Sequence, residues 1–216
     1  MKSEKYTFPL MRPEAFSIYP IVDSFSWVER LLAAGIKMVQ LRIKSKRAGF
    51  EKEISDAIAC GRRHQACVVI NDHWQLAIDH GALVVHLGQD DLNDEALSAL
   101  SAARIRLGVS SHSEQEIAHA LDVNPSYLAI GTVFKSPSKT FSHNPVGTEQ
   151  LKNLCKLAEI PIVAIGGITL ERAPEVLNAG ANGIAVISDI TAAENPEQRV
   201  NEWLCFFEER RTGCKP

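Results

Sequence analysis

Short apolar runs rich in β-branched residues recur along the chain, and amphipathic stretches separate them. This alternation constrains the fold more than any other feature. The runs are Ser17–Asp23, Lys37–Lys44, Cys67–Asp72, Leu83–Gln89, Arg106–Ser111, Tyr127–Phe134, Pro161–Gly167 and Gly183–Asp189. Each is nearly continuously hydrophobic, as a parallel-sheet strand buried on both faces must be. The stretches between them read as helices. Phe25–Ala34 carries Val28, Leu31 and Leu32 at helical spacing and stops at Gly35, a residue that closes helices readily. Ser113 with Glu116 three residues later forms a capping box for a helix reaching Leu121. Thr148–Leu157 and Thr169–Ala179 continue the pattern. Pro196–Arg211 opens on a proline and ends in Arg210 and Arg211, as the backbone dipole favours. Eight strands alternating with helices predict an α/β fold, a single (β/α)8 TIM barrel. The expected organisation is one domain over residues 1–216, with 1–16 as a short N-terminal extension. A doubly wound open sheet is the competing architecture.

The 216 residues suffice for one sizeable core and are short for two domains. Apolar residues make up 45%, which argues against disorder. A net charge of −3 gives no electrostatic footprint for nucleic acid or an anionic membrane. An anionic small molecule would need a local positive site. The five cysteines, Cys60, Cys67, Cys155, Cys205 and Cys214, are odd in number and widely spaced, with no C-x-x-C pair. That argues against a disulfide framework or a zinc site and favours a reducing, cytoplasmic compartment. Residues 1–13 lack the apolar centre of a signal peptide, and no stretch approaches the length of a membrane span.

Barrels of this kind carry their chemistry at the C-terminal ends of the strands. The second run ends Gln40-Leu41-Arg42-Ile43-Lys44, and a period of two puts Gln40, Arg42 and Lys44 on one face. That face suits an anionic or heteroaromatic ligand; solvated charge at an exposed strand end is the alternative. The third run ends Asn71-Asp72 and the fourth Gln89-Asp90-Asp91. Carboxylates at neighbouring strand ends can share one Mg²⁺, or each can cap the helix that follows. The fifth ends Ser110-Ser111-His112, where hydroxyls can meet a phosphate and His112 reads best as an exposed loop residue. After the sixth comes a long loop containing Lys135-Ser136-Pro137-Ser138-Lys139, suited to phosphate contacts. The seventh and eighth end Gly166-Gly167-Ile168 and Ile187-Ser188-Asp189, where such barrels bind phosphate through backbone N–H groups.

The strings QLRIK (40–44), IND (70–72), HLGQDD (86–91), GVSSH (108–112), GTVFKSPSK (131–139), AIGGI (164–168) and AVIS (185–188) occur in this order. Together they resemble the thiamine phosphate synthase family, from about Tyr19 to Ile190. The resemblance implies a Mg²⁺-dependent transferase of thiamine biosynthesis. Such enzymes join 4-amino-2-methyl-5-hydroxymethylpyrimidine diphosphate to a thiazole phosphate, release diphosphate and form thiamine phosphate. It implies pyrimidine diphosphate binding by Gln40, Leu41, Arg42, Ile43, Lys44, Asn71, Ser110 and Lys139, and metal ligation by Asp72 and Asp91. It implies thiazole phosphate binding by Ser136, Pro137, Ser138, Gly167, Ile187 and Ser188, with Arg42, Lys44 and Lys139 stabilising the departing charge. No protein nucleophile is needed if the pyrimidine methylene leaves as a cation. Small-molecule substrates are the expected partners, without nucleic acid or membrane; a homo-oligomer is compatible with the sequence. The family commonly reads Pro-Thr-x-Thr-Lys in the loop where this chain has Lys135 to Lys139, and a small residue where it has Asp189. A thiazole tautomerase-like barrel and a non-catalytic thiamine phosphate sensor are the competing readings. Retention of Asp72, Asp91, Lys44 and Lys139 argues against both.

Overall fold

A computed structural model describes residues 5–45, 47–135 and 144–213. Eight strands, β1 (Ile18–Val22), β2 (Met38–Leu41), β3 (Cys67–Asn71), β4 (Val84–Leu87), β5 (Arg106–Ser111), β6 (Tyr127–Gly131), β7 (Ile162–Ile165) and β8 (Gly183–Val186), close into a barrel in sequence order. All pairs are parallel, and β8 returns to β1 with Tyr19 opposite Ala185. The helices are α1 (Phe25–Ala33), α2 (Phe50–Arg63), α3 (Trp74–Asp79), α4 (Asp94–Ala102), α5 (Glu114–Leu121), α6 (Gly147–Cys155), α7 (Ala173–Asn178), α8 (Ser188–Thr191) and α9 (Pro196–Thr212). The expected (β/α)8 barrel is the fold of this chain. Among the described residues, no helix is long and apolar enough to cross a membrane.

Successive side chains of a strand point to opposite faces, so each barrel strand feeds two cores. Leu41, Ile70, Leu87, Ile130 and Ile184 pack outward against helical residues such as Val28, Leu31 and Ile54. Tyr19, Met38, Val69, Val84, Tyr127 and Val163 fill the interior. This double burial is why the runs are apolar at every position rather than at alternate ones. Burial of one such aliphatic side chain contributes roughly 1.5–3 kcal/mol. Gly108 serves the interior by its size: a Cβ there would lie 2.1 Å from Cζ of Tyr127.

Most strand ladders end earlier than the apolar runs. Ile43, Val133 and Ile168 lie beyond the last paired residues of β2, β6 and β7 yet remain buried, because the chain still crosses the core there. Hydrophobicity reports burial and cannot mark where pairing stops. The expected Thr169–Ala179 helix is a 3₁₀ turn, Leu170–Arg172, followed by α7. Pro174 starts the new helix because its ring and missing N–H suit a first turn and no other. At α5, Ser113 Oγ accepts from Glu116 N at 3.2 Å, as the capping box predicts. The Glu116 carboxylate instead takes the His112 N–H at 2.6 Å and lies 2.9 Å from His112 Nδ1.

The N-terminal segment packs against the barrel. Tyr6 and Phe8 join the outer core, Ser126 Oγ donates to Pro9 O at 2.8 Å, and the Phe16 ring lies 5.1 Å from Tyr127 inside the barrel. It leaves the opposite end, at the C-terminal ends of the strands, for a site.

Candidate active site

A cavity of about 170 Å³ at the barrel mouth is lined by Gln40, Arg42, Asn71, Asp72, Asp91 and Ser110, with His86 below. These residues come from the ends of β2, β3 and β5 and from the turn after β4. Asp72 adopts φ +63°, a left-handed conformation that aspartate tolerates better than most residues. Its N–H donates to His86 O at 3.0 Å. Neither acidic residue caps a helix. The residue before α3 is His73, without a side-chain cap, and α4 is capped by Asn93, which accepts from Ala96 N at 3.0 Å. Both carboxylates are thereby left to the cavity. Burial raises the Asp72 pKa, and the Asp91 charge raises it further, against the opposing pull of Arg42 and Asn71. Two like charges held close enough to disturb each other suit a divalent cation. Among the described residues, no group of three or more His, Cys, Asp or Glu could hold a metal. Two carboxylates with room for waters and phosphate oxygens fit Mg²⁺, which takes few protein ligands.

The β2 ladder stops at Leu41, yet burial keeps alternating beyond it: Ile43 is buried, while Arg42 is half-buried and Lys44 is exposed in the following loop. It lines an adjoining cavity with Asp23, Trp27 and Arg47, and Arg42 and Ile187 border both cavities. Leu41 and Ile43 are buried in the outer core, so only their backbone can face a ligand. Ser136, Pro137, Ser138 and Lys139 lie outside the described residues.

Polar side chains also sit deep inside the barrel, under the cavity. Gln40 Nε2 donates to Tyr19 Oη at 2.9 Å, and Tyr19 Oη lies 2.9 Å from Tyr127 Oη. Tyr127 Oη lies 3.0 Å from His86 Nδ1, and His86 Nε2 lies 2.8 Å from Ser110 Oγ. Burial, aided by the Arg42 cation, pushes the His86 imidazole down to about 4, so it is neutral at physiological pH. Burial likewise holds both phenols protonated. Sequence reasoning missed Tyr19, Tyr127 and His86. The available signal was a polar ring at an inward position of three apolar runs.

A second cavity of about 360 Å³ opens at the ends of β7 and β8. Gly167, Ile187 and Ser188, all expected here, line it with Lys135 and Arg172. Gly167 has φ +62°, and a Cβ would lie 2.6 Å from Phe134 O, so glycine alone fits the turn. Arg172 Nη1 donates to Gly167 O at 2.7 Å and its guanidinium stacks 4.6 Å from the Phe134 ring centroid. Two cations thus flank the glycine turn. Asp189 also lines this cavity. Its carboxylate accepts from Arg199 Nε and Nη2, both at 3.0 Å, and from Trp203 Nε1 at 2.7 Å. It is thereby anchored to α9, on an arginine that also pairs with Glu171 and Glu202. His112 borders the same cavity and is tied to Glu116.

The two cavities share Ser110, Ile165, Ala185 and Ile187 as a common wall. The family described as thiamine monophosphate synthase matches residues 18–190. This chain belongs to the thiamine monophosphate synthase family. A thiamine-phosphate synthase of Citrobacter koseri is 51% identical over 201 residues, covering 92% of this chain and 95% of that protein. One from Klebsiella pneumoniae is 51% identical over 196 residues, covering 90% and 93%. Among solved structures, the thiamine phosphate pyrophosphorylase of Pyrococcus furiosus superposes with a TM-score of 0.81 at 28% identity, covering 91% of this chain and 98% of that one. Thiamine monophosphate synthase family membership also fixes the class of chemistry as group transfer by an enzyme.

Proposed function

We propose that the chain, acting as one domain in the cytoplasm, transfers the (4-amino-2-methylpyrimidin-5-yl)methyl group of 4-amino-2-methyl-5-hydroxymethylpyrimidine diphosphate to the ring nitrogen of a thiazole phosphate. The observation that carries this reading is the shared wall between two anion-suited cavities. Arg42, Asp72 and Asp91 line one side, where a diphosphate and its cation would be held, and the Gly167 turn lines the other, where a phosphate would be held. Ligands so placed meet at Ser110 and Ile187.

In the first cavity Gln40 and Asn71 face the pyrimidine, and Arg42 and Ser110 face the diphosphate. Lys44 approaches the same diphosphate from the loop after β2, backbone groups of Leu41 and Ile43 complete that side, and the family resemblance assigns Lys139 to the same ligand. In the second, Gly167, Ile187 and Ser188 hold the thiazole phosphate with Ser136, Pro137 and Ser138, and Lys135 and Arg172 add positive charge. Asp72 and Asp91 would hold Mg²⁺, which when bound supplies positive charge against the diphosphate oxygens.

The reaction breaks the bond from the pyrimidine methylene to the diphosphate oxygen, and the electron pair leaves with diphosphate. Arg42, Lys44 and Lys139 stabilise that departing charge electrostatically. The aminopyrimidine carries the methylene cation, and the thiazole nitrogen lone pair forms the new C–N bond. No protein nucleophile or general base is required. Holding the two partners in contact contributes on the order of 7–11 kcal/mol when alignment is good. The test is diphosphate release measured with each substrate alone and with both. Release that needs both substrates and Mg²⁺ supports coupling; tight binding without turnover would indicate a sensor instead.

A further inference from the structure

Gln40, Tyr19, Tyr127, His86 and Ser110 form an unbranched hydrogen-bonded chain whose two ends, with Tyr19 and His86 between them, line the cavity of Arg42 and Asp72. Its hydrogens can be counted. Tyr19 accepts from Gln40 Nε2, and among the described residues its hydroxyl has one other partner, Tyr127. A phenol has a single hydrogen to give, so Tyr19 donates to Tyr127. Tyr127 then gives its own hydrogen to its remaining partner, His86 Nδ1. A neutral imidazole that accepts at Nδ1 carries its hydrogen on Nε2, and that hydrogen goes to Ser110 Oγ. Ser110 already accepts, so its hydroxyl hydrogen is left for the cavity. At the far end Gln40 Oε1 takes no hydrogen bond among the described residues and faces the cavity as an acceptor.

The direction is collective. If one link turns round, every link must, or two hydrogens meet at one contact and none at the next. The reversed chain would present the Gln40 amide nitrogen and a Ser110 lone pair instead. A glutamine amide takes its orientation from such a network, since its two ends have the same shape.

We propose that this chain is a specificity device: Tyr19, Tyr127 and His86 are positioning residues that hold Gln40 as an acceptor and Ser110 as a donor, so that the subsite selects a 4-amino pyrimidine over its 4-oxo counterpart. The inference rests on the aminopyrimidine diphosphate reading above. An exocyclic amine donates to Gln40 Oε1, and the second hydrogen of Nε2 is free for the adjacent ring nitrogen. A 4-oxo ring presents a carbonyl and a ring N–H in those places, which is the opposite pattern. It would set oxygen against oxygen unless all the links reversed. A site built to match one polar pattern rejects the other by roughly two orders of magnitude or more.

The experiment is calorimetric binding of the 4-amino and 4-oxo pyrimidine diphosphates with Mg²⁺ and without thiazole phosphate, to the wild-type chain and to Tyr127→Phe. Phenylalanine keeps the ring beside Gly108 and deletes only the hydroxyl. Tyr19 then has one acceptor left, Gln40 Oε1, and the amide turns over to meet it. The wild-type chain is expected to favour the 4-amino ligand about 100-fold. In Tyr127→Phe the ratio falls at least roughly tenfold, chiefly because the 4-oxo ligand binds more tightly. A purely structural hydroxyl would weaken both ligands alike, and an unchanged ratio overturns the proposal. Tyr19→Phe, which frees the Gln40 amide directly, is expected to lower the ratio too and serves if Tyr127→Phe does not fold. A wild-type chain that binds neither diphosphate overturns the substrate reading and this inference with it. One that binds the 4-amino ligand, with both variants keeping its selectivity, overturns the inference alone.

Discussion

Replacing Asp189 with alanine tests how the second cavity tolerates a carboxylate beside it. The side chain is 7% exposed and accepts three hydrogen bonds, two from Arg199 and one from Trp203. Trp203 is fully buried, so its indole N–H would be left without an acceptor, which costs roughly 1–2 kcal/mol. The paired bonds to Arg199 contribute roughly 1–3 kcal/mol more. The loss stays below that of a fully orphaned buried charge, because Arg199 keeps Glu171 at 3.1 Å and Glu202 at 3.0 Å. The expected destabilisation is therefore about 3 kcal/mol, equivalent to a fall in Tm of about 10 °C for a chain of this size. Urea unfolding followed by tryptophan fluorescence reads it directly. Asp189→Asn, which can still accept from Trp203, should lose about half as much. A loss under about 1 kcal/mol in the alanine variant would refute the claim that α9 anchors this carboxylate.

Three further outcomes follow from the same structure. Gly108→Ala places a Cβ 2.1 Å from Tyr127 Cζ in a ring with no free space around it, so we expect at least about 3 kcal/mol of destabilisation or no folded product, read by soluble yield and urea unfolding. Gly167→Ala must adopt φ +62° with its Cβ 2.6 Å from Phe134 O; calorimetry should show thiazole phosphate affinity falling at least about tenfold with pyrimidine diphosphate binding within about twofold. His86 has a folded pKa near 4, below its ordinary 6.5. The unfolded chain therefore binds the extra proton first, and stability falls as pH drops from about 6.5 towards 4, by about 3 kcal/mol in total. Urea unfolding at pH 7.5 and 4.5 should show a steeper loss for the wild-type chain than for His86→Gln; equal losses would contradict a buried neutral imidazole.

The strands were legible because both faces of each are buried, which writes eight apolar runs into the chain. Their ends were not, since Ile43 and Val133 are buried beyond the strand ladders. The alternation of Arg42 and Lys44 was legible even past the ladder's end at Leu41, and both line one cavity. Asp72 and Asp91 could be singled out as strand-end acids, but only the structure removes the capping role, by showing that His73 and Asn93 occupy the cap positions. The polar chain inside the barrel was invisible in sequence. Tyr127 lies 41 residues from His86 and 108 from Tyr19, and closure of the barrel alone brings them together. The partners of Asp189, Arg199 and Trp203, were not legible either, because they arrive on the next helix.

The account depends above all on Asp72 and Asp91 serving one divalent ion that belongs to the diphosphate ligand. Calorimetric titration of each ligand, with Mg²⁺, into Asp72→Ala and Asp91→Ala measures this most directly. Each variant should lose pyrimidine diphosphate affinity by at least about tenfold while thiazole phosphate affinity stays within about twofold. Equal loss of both ligands, or none of either, would contradict the shared ion.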